Sequence, residues 1–101
     1  MPITIVRYTT RPEAAQTNAE LISQVFAELA TQERGDLRYA AFRLADHEFL
    51  HLSLAQNQPS PLHDVAAFRR FREGVAGRCV EAPRSLNAVL IGQYRLPDLQ
   101  R

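Results

Sequence analysis

The spacing of apolar residues along this chain predicts six secondary-structure elements in the order β-α-β-β-α-β. Residues 3–9 are rich in β-branched and aromatic side chains, which is typical of a strand. A helix is predicted over residues 13–34, because apolar side chains recur there at helical intervals. Its start carries the capping-box spacing of Thr10 and Glu13, and Gly35 is a suitable residue to end it. The apolar stripe consists of Leu21, Ile22, Val25, Phe26 and Leu29.

The next two predicted elements are strands over residues 37–44 and 49–54. Four residues connect them, and a connection this short makes a hairpin. If the hairpin is symmetric about Asp46 and His47, Phe42 lies opposite His51 on one face of the sheet. The flanking pairs are then Leu44 with Phe49 and Ala40 with Ser53, and the other face carries Tyr39, Ala41 and Arg43.

The second helix and the last strand complete the order. Ser60 and Pro61 are suited to the N-cap and first position of a helix, and Gly74 and Gly77 weaken its end. The last strand is predicted over residues 86–96, with both of its faces apolar. The apolar positions of the helix are Leu62, Val65, Phe68, Phe71 and Val75.

This order of elements defines one α+β domain over residues 1–101 with a ferredoxin-like fold. Right-handed crossovers place both helices on one face of a four-stranded antiparallel sheet. The opposite face is also predicted to be apolar, and a broad exposed apolar sheet is rare on a soluble monomer. We therefore expect a homodimer in which a second copy covers the open face of the sheet.

Composition narrows the classes of function that this domain can have. The 101 residues carry 12 basic and 11 acidic side chains, so no field of one sign exists to attract nucleic acid or an anionic membrane. Every basic residue is Arg, which excludes chemistry at a lysine. RNA-binding RRM domains share the order of elements, but the third predicted strand lacks their glycine-rich basic signature.

Cysteine use and hydropathy predict a cytoplasmic location. The single cysteine, Cys79, cannot form an intrachain disulfide, which fits a reducing compartment. The first residues lack the pattern of a signal peptide, and the apolar runs are shorter than a membrane span. We expect neither nucleic acid nor a membrane among the partners of this chain.

His51 is the strongest candidate for a functional residue. It alternates along its strand with Phe49 and Ser53, and the predicted register places it beside Phe42. In an apolar pocket, burial would tune the pKa of the imidazole, so that the ring acts as a base or a ligand-binding donor. The alternative is a core histidine satisfied by a group across the dimer. Tyr8, Tyr39 and Arg43 either line the same cavity or lie at its amphipathic rim.

The other polar candidates favour structural roles. His47 falls in the hairpin turn and His63 in the first turn of the second helix, and their spacing is not that of a zinc site, so no metal is expected. Cys79 follows the end of a helix, where the dipole disfavours a thiolate. The second helix also carries a basic cluster. One interpretation is a binding site for a phosphate or an acidic partner, and the other is a solvated helix face. The members of the cluster are Arg69, Arg70, Arg72 and Arg78.

Taken together, these residues resemble the dimeric α+β barrel superfamily and, within it, the antibiotic-biosynthesis-monooxygenase-like domains. The resemblance covers nearly the whole chain and rests on order and pattern. Its segments are Val6-Arg7-Tyr8, Arg11-Pro12-Glu13, Asn18, Tyr39, Phe42-Arg43-Leu44, Phe49-Leu50-His51-Leu52, Ala67-Phe68, Phe71 and Arg78-Cys79.

The resemblance implies a barrel closed by two sheets across a homodimer, with a ligand cavity in each subunit. Members of the family oxidise polyketide-like aromatic molecules with O₂ and no cofactor, bind or degrade haem, or have no established activity. The implied function is binding of a small apolar or aromatic molecule, and an enzyme of this type would be a cofactor-independent monooxygenase-like oxidoreductase. The alternative is a non-catalytic homodimeric ligand-binding or stress-related protein. This chain has no Trp, which several active members use in the pocket.

Overall fold

A computed structural model describes residues 2–56 and 59–96 and contains two helices and four strands. The strands form one antiparallel sheet in the order β2-β3-β1-β4, and both helices pack on the same face of it. The predicted ferredoxin-like α+β fold is therefore confirmed. The elements are β1 (Ile3–Thr10), α1 (Ala15–Leu29), β2 (Leu37–Leu44), β3 (Glu48–Ala55), α2 (Ala66–Arg78) and β4 (Cys79–Ala88).

The core lies between the helices and one face of the sheet. Strand alternation turns Tyr8 of β1 and Phe49 of β3 toward the helices, and both side chains are buried. Val25 of α1 and Phe71 of α2 belong to the same core cluster and contribute to it from the helix layer. Because burying each large apolar side chain contributes about 1.5–3 kcal/mol, this layer supplies most of the stability of a small domain.

The predicted hairpin register is wrong by one residue. Leu44 pairs with Glu48, and Ala41 lies opposite His51. The turn contains only residues 45–47, and Ala45 has a φ of 51°. The predicted turn had four residues and the observed turn has three, so the pairing of β2 with β3 is displaced by one residue. Each residue of β2 therefore faces a different residue of β3 from the one predicted.

The corrected register separates Phe42 from His51. Phe42 pairs with Leu50 on the face away from the helices, where 44% of its side chain is exposed. Tyr39 pairs with Ser53 and therefore shares the helix face with His51.

The first helix is shorter than its predicted range at both ends. It ends at Leu29, where the apolar stripe also ends, and Glu33 has a φ of 49° that no helix accommodates. The predicted capping box does not form, because Thr10 belongs to β1 and its Oγ1 donates to the carbonyl of His47 at 3.4 Å. A short 3₁₀ turn, Pro12–Ala14, leads into the helix instead.

The second helix begins at Ala66, later than predicted. Ser60 caps only a short 3₁₀ turn, Pro61–Asp64, by accepting a hydrogen bond from the amide of Leu62. The cap of α2 comes from α1, since the Glu28 carboxylate accepts hydrogen bonds from the amides of Ala66 and Ala67 at 3.1 and 2.9 Å. These bonds, the one from Ala67 foremost, hold the pKa of the Glu28 carboxyl below its usual value.

The predicted position of the last strand is also wrong. The strand starts at Cys79, directly after α2, and ends at Ala88, whose partner Ile3 is the first residue of β1. Among the described residues, no strand pairs with residues 89–96, and Ile91 is fully exposed. Pro83 lies inside the strand, which is tolerated because β4 is an edge strand.

The open face of the sheet, opposite the helices, is apolar at its centre. Its side chains are half-buried or exposed, and both described helices lie on the opposite face. A homodimer through this face remains a prediction. The central residues are Ile5, Ala40, Phe42, Leu50, Leu52, Leu54 and Leu86.

Candidate functional site

A cavity of about 560 Å³ lies between the sheet and α2, beside His51. Strands β1 and β3 form its floor, and α2 forms its roof. Ser85 of the edge strand and Ser60 of the loop before α2 also line it. Its other walls include Val6, Tyr8, Tyr39, Phe68, Phe71 and Val75.

The centre of β3 holds His51 at the floor of this cavity. Its neighbours across the sheet are Val6 on β1 and Ala41 on β2, which offer no polar group beside the ring. The side chain is 6% exposed. Burial lowers the pKa of His51 to about 4, so the imidazole is neutral at pH 7.

Two tyrosines bond the two ring nitrogens of His51. Tyr8 Oη lies 2.7 Å from Nε2, and Tyr39 Oη lies 2.5 Å from Nδ1. Burial raises the pKa of both tyrosine hydroxyls, so all three groups are neutral at pH 7. The histidine is thus satisfied within its own chain, without a group from a second copy.

Asn18 and Arg78 extend these contacts behind Tyr8. Asn18 of α1 is fully buried, and its Nδ2 donates to Tyr8 Oη at 2.9 Å. Its Oδ1 accepts a hydrogen bond from Arg78 Nε at 2.9 Å. We call Arg78, Asn18, Tyr8, His51 and Tyr39 the buried polar network.

The guanidinium of Arg78 is held in place by α2 itself. Its Nη2 donates to the carbonyl of Phe71 at 2.9 Å, and its Cζ lies 5.4 Å from the centre of the Phe71 ring. The side chain folds back past Gly74, where a Cβ would lie 2.6 Å from Arg78 Nη1. Gly74 therefore leaves space for the Arg78 side chain. From the sequence, Gly74 is interpreted only as a residue that weakens the end of the helix.

The structure brings together three of the five predicted ligand-binding residues. Tyr8, Tyr39 and His51 share the cavity. Phe42 lies on the open face, and Arg43 lies at the end of β2, where its guanidinium donates to the Asp46 carbonyl at 2.7 Å. Neither of these two lines the cavity.

Asn18 and Arg78 are not among the ligand-binding residues that the sequence predicts, although Arg78 belongs to the basic cluster considered as an anion site. A signal for Asn18 exists, because it occupies the buried stripe of α1 together with Ala15, Ile22 and Val25. A polar residue inside an apolar stripe requires a buried partner.

The basic cluster of α2 divides into two groups. Arg69, Arg70 and Arg72 are exposed, and Arg69 donates to the carbonyl of His63 at 2.8 Å. Arg78 alone of the four turns inward to Asn18. Burial raises the pKa of the adjacent Cys79 thiol, which disfavours a nucleophilic thiolate.

Two further observations concern cofactors and membranes. Within residues 2–56 and 59–96, no three His, Cys, Asp or Glu side chains are grouped as metal ligands would be. In the same part of the chain, no helix has the length and apolar character needed to cross a bilayer.

The ferredoxin-like α+β fold of this chain is shared with solved structures of other proteins. An antibiotic biosynthesis monooxygenase shares the fold with a TM-score of 0.72 at 12% identity, over 91% of this chain and 100% of that one. SnoaB, a cofactor-independent oxygenase from Streptomyces nogalater, gives a TM-score of 0.62 at 11% identity, over 93% and 97%. A conserved protein from Methanosarcina mazei gives 0.68 at 12% identity, over 87% and 91%.

At identities of 11–12%, these TM-scores show a shared fold, which confirms the fold that the sequence predicts. No family model and no curated protein matches this chain.

Proposed function

We propose that this chain binds a small, largely apolar molecule in the cavity beside His51. The observation that carries the proposal is a largely apolar cavity, with Arg72 at its edge and His51 between two tyrosine hydroxyls at its floor. A volume of about 560 Å³ lies within the ordinary range of small-molecule sites, which combine apolar walls with a few fixed polar groups.

The walls favour a ligand that contains an aromatic ring. The rings of Phe68 and Phe71 lie 6.1 Å apart along the roof, and the Tyr8 and Phe71 rings lie 6.3 Å apart across the cavity wall. Aromatic side chains offer flat apolar surfaces that pair with a ring in offset or edge-to-face contact. Since the polar groups at the floor are neutral, the ligand body does not need a charge.

A homodimer through the open face of the sheet completes this proposal. The centre of that face is apolar and lacks a covering helix. A second copy would remove it from water by two-fold packing of sheet on sheet. The dimer leaves the cavity on the other side of each sheet accessible.

A second candidate function is oxidation of the bound molecule by O₂ without a cofactor. The observation that favours it is the fold shared with SnoaB, which is described as a cofactor-independent oxygenase. In the simplest balanced form, a ring CH₂ becomes C=O, and the second oxygen atom leaves as water with both hydrogens. The competing function is ligand binding without turnover.

A thermal-shift experiment tests the binding proposal. We expect a saturable rise in melting temperature with 1-naphthol or anthrone, because a ligand at 100 times its Kd stabilises the folded state by about 2.7 kcal/mol. Ser53→Leu fills the cavity floor and should abolish the shift, whereas Ser23→Leu, on the exposed side of α1, should preserve it.

The same panel separates the two candidate functions. Oxygen uptake with either compound would support oxidation, and a thermal shift without uptake would support binding alone. No shift with any aromatic compound, or a shift that survives Ser53→Leu, would contradict the proposed site.

A further inference from the structure

We propose that the buried polar network fixes Tyr39 as a hydrogen-bond donor to the ligand, so that the site selects a molecule presenting an oxygen acceptor, best a phenolate or enolate oxygen. This inference rests on the proposed ligand cavity and names the class of group that binds there.

Arg78 determines the orientation of the Asn18 amide. A guanidinium has donors and no acceptor, so the Asn18 atom that meets Arg78 Nε at 2.9 Å must be the carbonyl oxygen. The amide nitrogen of Asn18 then faces Tyr8 and donates to its hydroxyl oxygen at 2.9 Å.

Asn18 in turn determines the direction of the bond between Tyr8 and His51. Because Tyr8 Oη already accepts from Asn18, its own proton has one remaining partner among the described side chains, His51 Nε2 at 2.7 Å. The opposite arrangement would leave the hydroxyl proton of Tyr8, a residue that is 3% exposed, without an acceptor among the described side chains, which costs about 1–3 kcal/mol. His51 Nε2 is therefore the acceptor.

The tautomer of His51 then determines the role of Tyr39. A neutral imidazole that accepts at Nε2 carries its proton on Nδ1, so Nδ1–H donates to Tyr39 Oη at 2.5 Å. The Tyr39 hydroxyl has no other hydrogen-bond partner among residues 2–56 and 59–96, and Tyr39 lines the cavity. Among Tyr8, Tyr39 and His51, the described members of the network that line the cavity, the Tyr39 proton is the donor left for a ligand.

The charge at the far end of the network favours a negative ligand oxygen. Along the path from Arg78 Nε through Asn18, Tyr8 and His51 to Tyr39, each donor points toward the cavity, and hydrogen bonds aligned in this way polarise one another. In the described part of the chain, no carboxylate lies within 4 Å of the Arg78 guanidinium, so its charge is not cancelled by an ion pair. A phenolate or enolate oxygen at Tyr39 would receive a charge-assisted bond, which is stronger than a neutral one.

The position of the His51 proton is the deciding measurement. We expect ¹⁵N chemical shifts of the ligand-free protein at pH 7 to show a neutral ring protonated at Nδ1. A ring protonated at Nε2, or at both nitrogens, would overturn the inference without reference to any ligand.

Asn18→Asp should reverse the network with almost no change of shape. A carboxylate accepts from both Arg78 and Tyr8, so the Tyr8 proton turns away from His51 and the imidazole proton moves to Nε2. Asn87→Asp adds the same charge on the exposed edge strand and should leave the ring unchanged. An unchanged tautomer in folded Asn18→Asp would contradict the proposed direction.

If Asn18→Asp does not fold, Tyr39→Phe supplies the second test. The contacts of Asn18 and Tyr8 remain in this variant, so we expect the proton to stay on Nδ1. Its movement to Nε2 would show that Tyr39 sets the tautomer, which would overturn the inference.

The ligand class is tested with 4-nitrophenol, whose phenol and phenolate forms absorb at different wavelengths. We expect the phenolate to bind more tightly, and Tyr39→Phe to weaken its binding about tenfold or more. Equal binding of the two forms would overturn the ligand class. Failure of both forms to bind would count against the proposed cavity function, while the ¹⁵N shifts would still decide the direction of the network.

Discussion

The two faces of the sheet are both rich in apolar side chains, yet only one of them encloses polar groups. On the helix face, His51 is buried between Tyr8 and Tyr39, and each ring nitrogen has a partner. On the open face, the central residues are aliphatic or aromatic, with polar contacts confined to one end, where Arg7 pairs with Glu48.

This difference assigns separate roles to the two faces. Burying a polar group costs free energy unless the group is hydrogen-bonded. The hydrogen-bonded groups beside the cavity therefore allow the helix face to orient a ligand and to select it by its polar atoms. A face without such groups exposes apolar surface. Burial of that surface favours association with another protein surface but does not select a ligand by its functional groups. The helix face is thus the candidate site, and the open face is the candidate interface.

The largest expected effect comes from placing a charge at the centre of the open face. Leu52 lies between Ile5 and Ala40, so Leu52→Arg would bury an unpaired charge if a second copy covers this face. We expect dimer affinity to fall about 100-fold or more, in line with the roughly 3–5 kcal/mol cost of an uncompensated buried charge. Sedimentation equilibrium at micromolar concentration would measure it.

Ser23→Arg on the exposed side of α1 is the control for that substitution, and it should leave the mass unchanged. A wild-type chain that sediments as a monomer would refute the interface outright. Ligand shifts that persist in monomeric Leu52→Arg would show that the two faces act independently.

The next effect concerns the helix face and its dependence on pH. Folded His51 has a pKa of about 4, below the ordinary value of 6.5, so between these values the unfolded chain binds a proton that the folded chain excludes. Stability from the neutral ring is complete above pH 6.5 and is lost as the pH falls toward 4. Since each tenfold change in proton affinity is worth about 1.4 kcal/mol, the loss is about 3 kcal/mol.

Denaturant unfolding at several pH values would detect this loss. His51→Gln should flatten the profile between pH 4 and 6.5, whereas His63→Gln, at an exposed position, should retain the wild-type slope. An unchanged slope in His51→Gln would show that the buried ring is not the source.

Much of the fold was predictable because periodicity determines which residues face the core. The types of the six elements and their order follow from local spacing, and these agree with the structure. The hairpin register was not predictable from local spacing, since it depends on the backbone conformation of Ala45 in a turn of three residues. The last strand was misplaced because a strand needs a partner, and β1 has none to offer beyond Ile3.

The site was predictable only in part, since its contacts join residues far apart in the chain. Local alternation and composition were enough to select His51, Tyr8 and Tyr39. The bond from Arg78 to Asn18 spans 60 positions, and no short-range spacing encodes it. Asn18 within the apolar stripe of α1 was the available signal, since an isolated buried amide requires a partner.

The smallest expected effect separates two glycines of α2 that look equivalent in the sequence. Gly77→Ala meets no atom within 4 Å and should raise stability by about 1 kcal/mol through helix propensity. Gly74→Ala gains the same propensity, but its Cβ would lie 2.6 Å from Arg78 Nη1, so the guanidinium must shift, and we expect its bond to Asn18 to weaken. We expect Gly74→Ala to be less stable than Gly77→Ala by about 1 kcal/mol, the typical net worth of one hydrogen bond. A second readout identifies the cause, because only Gly74→Ala should change the ¹⁵N shifts of Arg78 Nε and of the His51 ring. Equal stability of the two variants and unchanged ¹⁵N shifts would show that Gly74 does not position Arg78. The guanidinium would then keep its place in the network without the space beside Gly74.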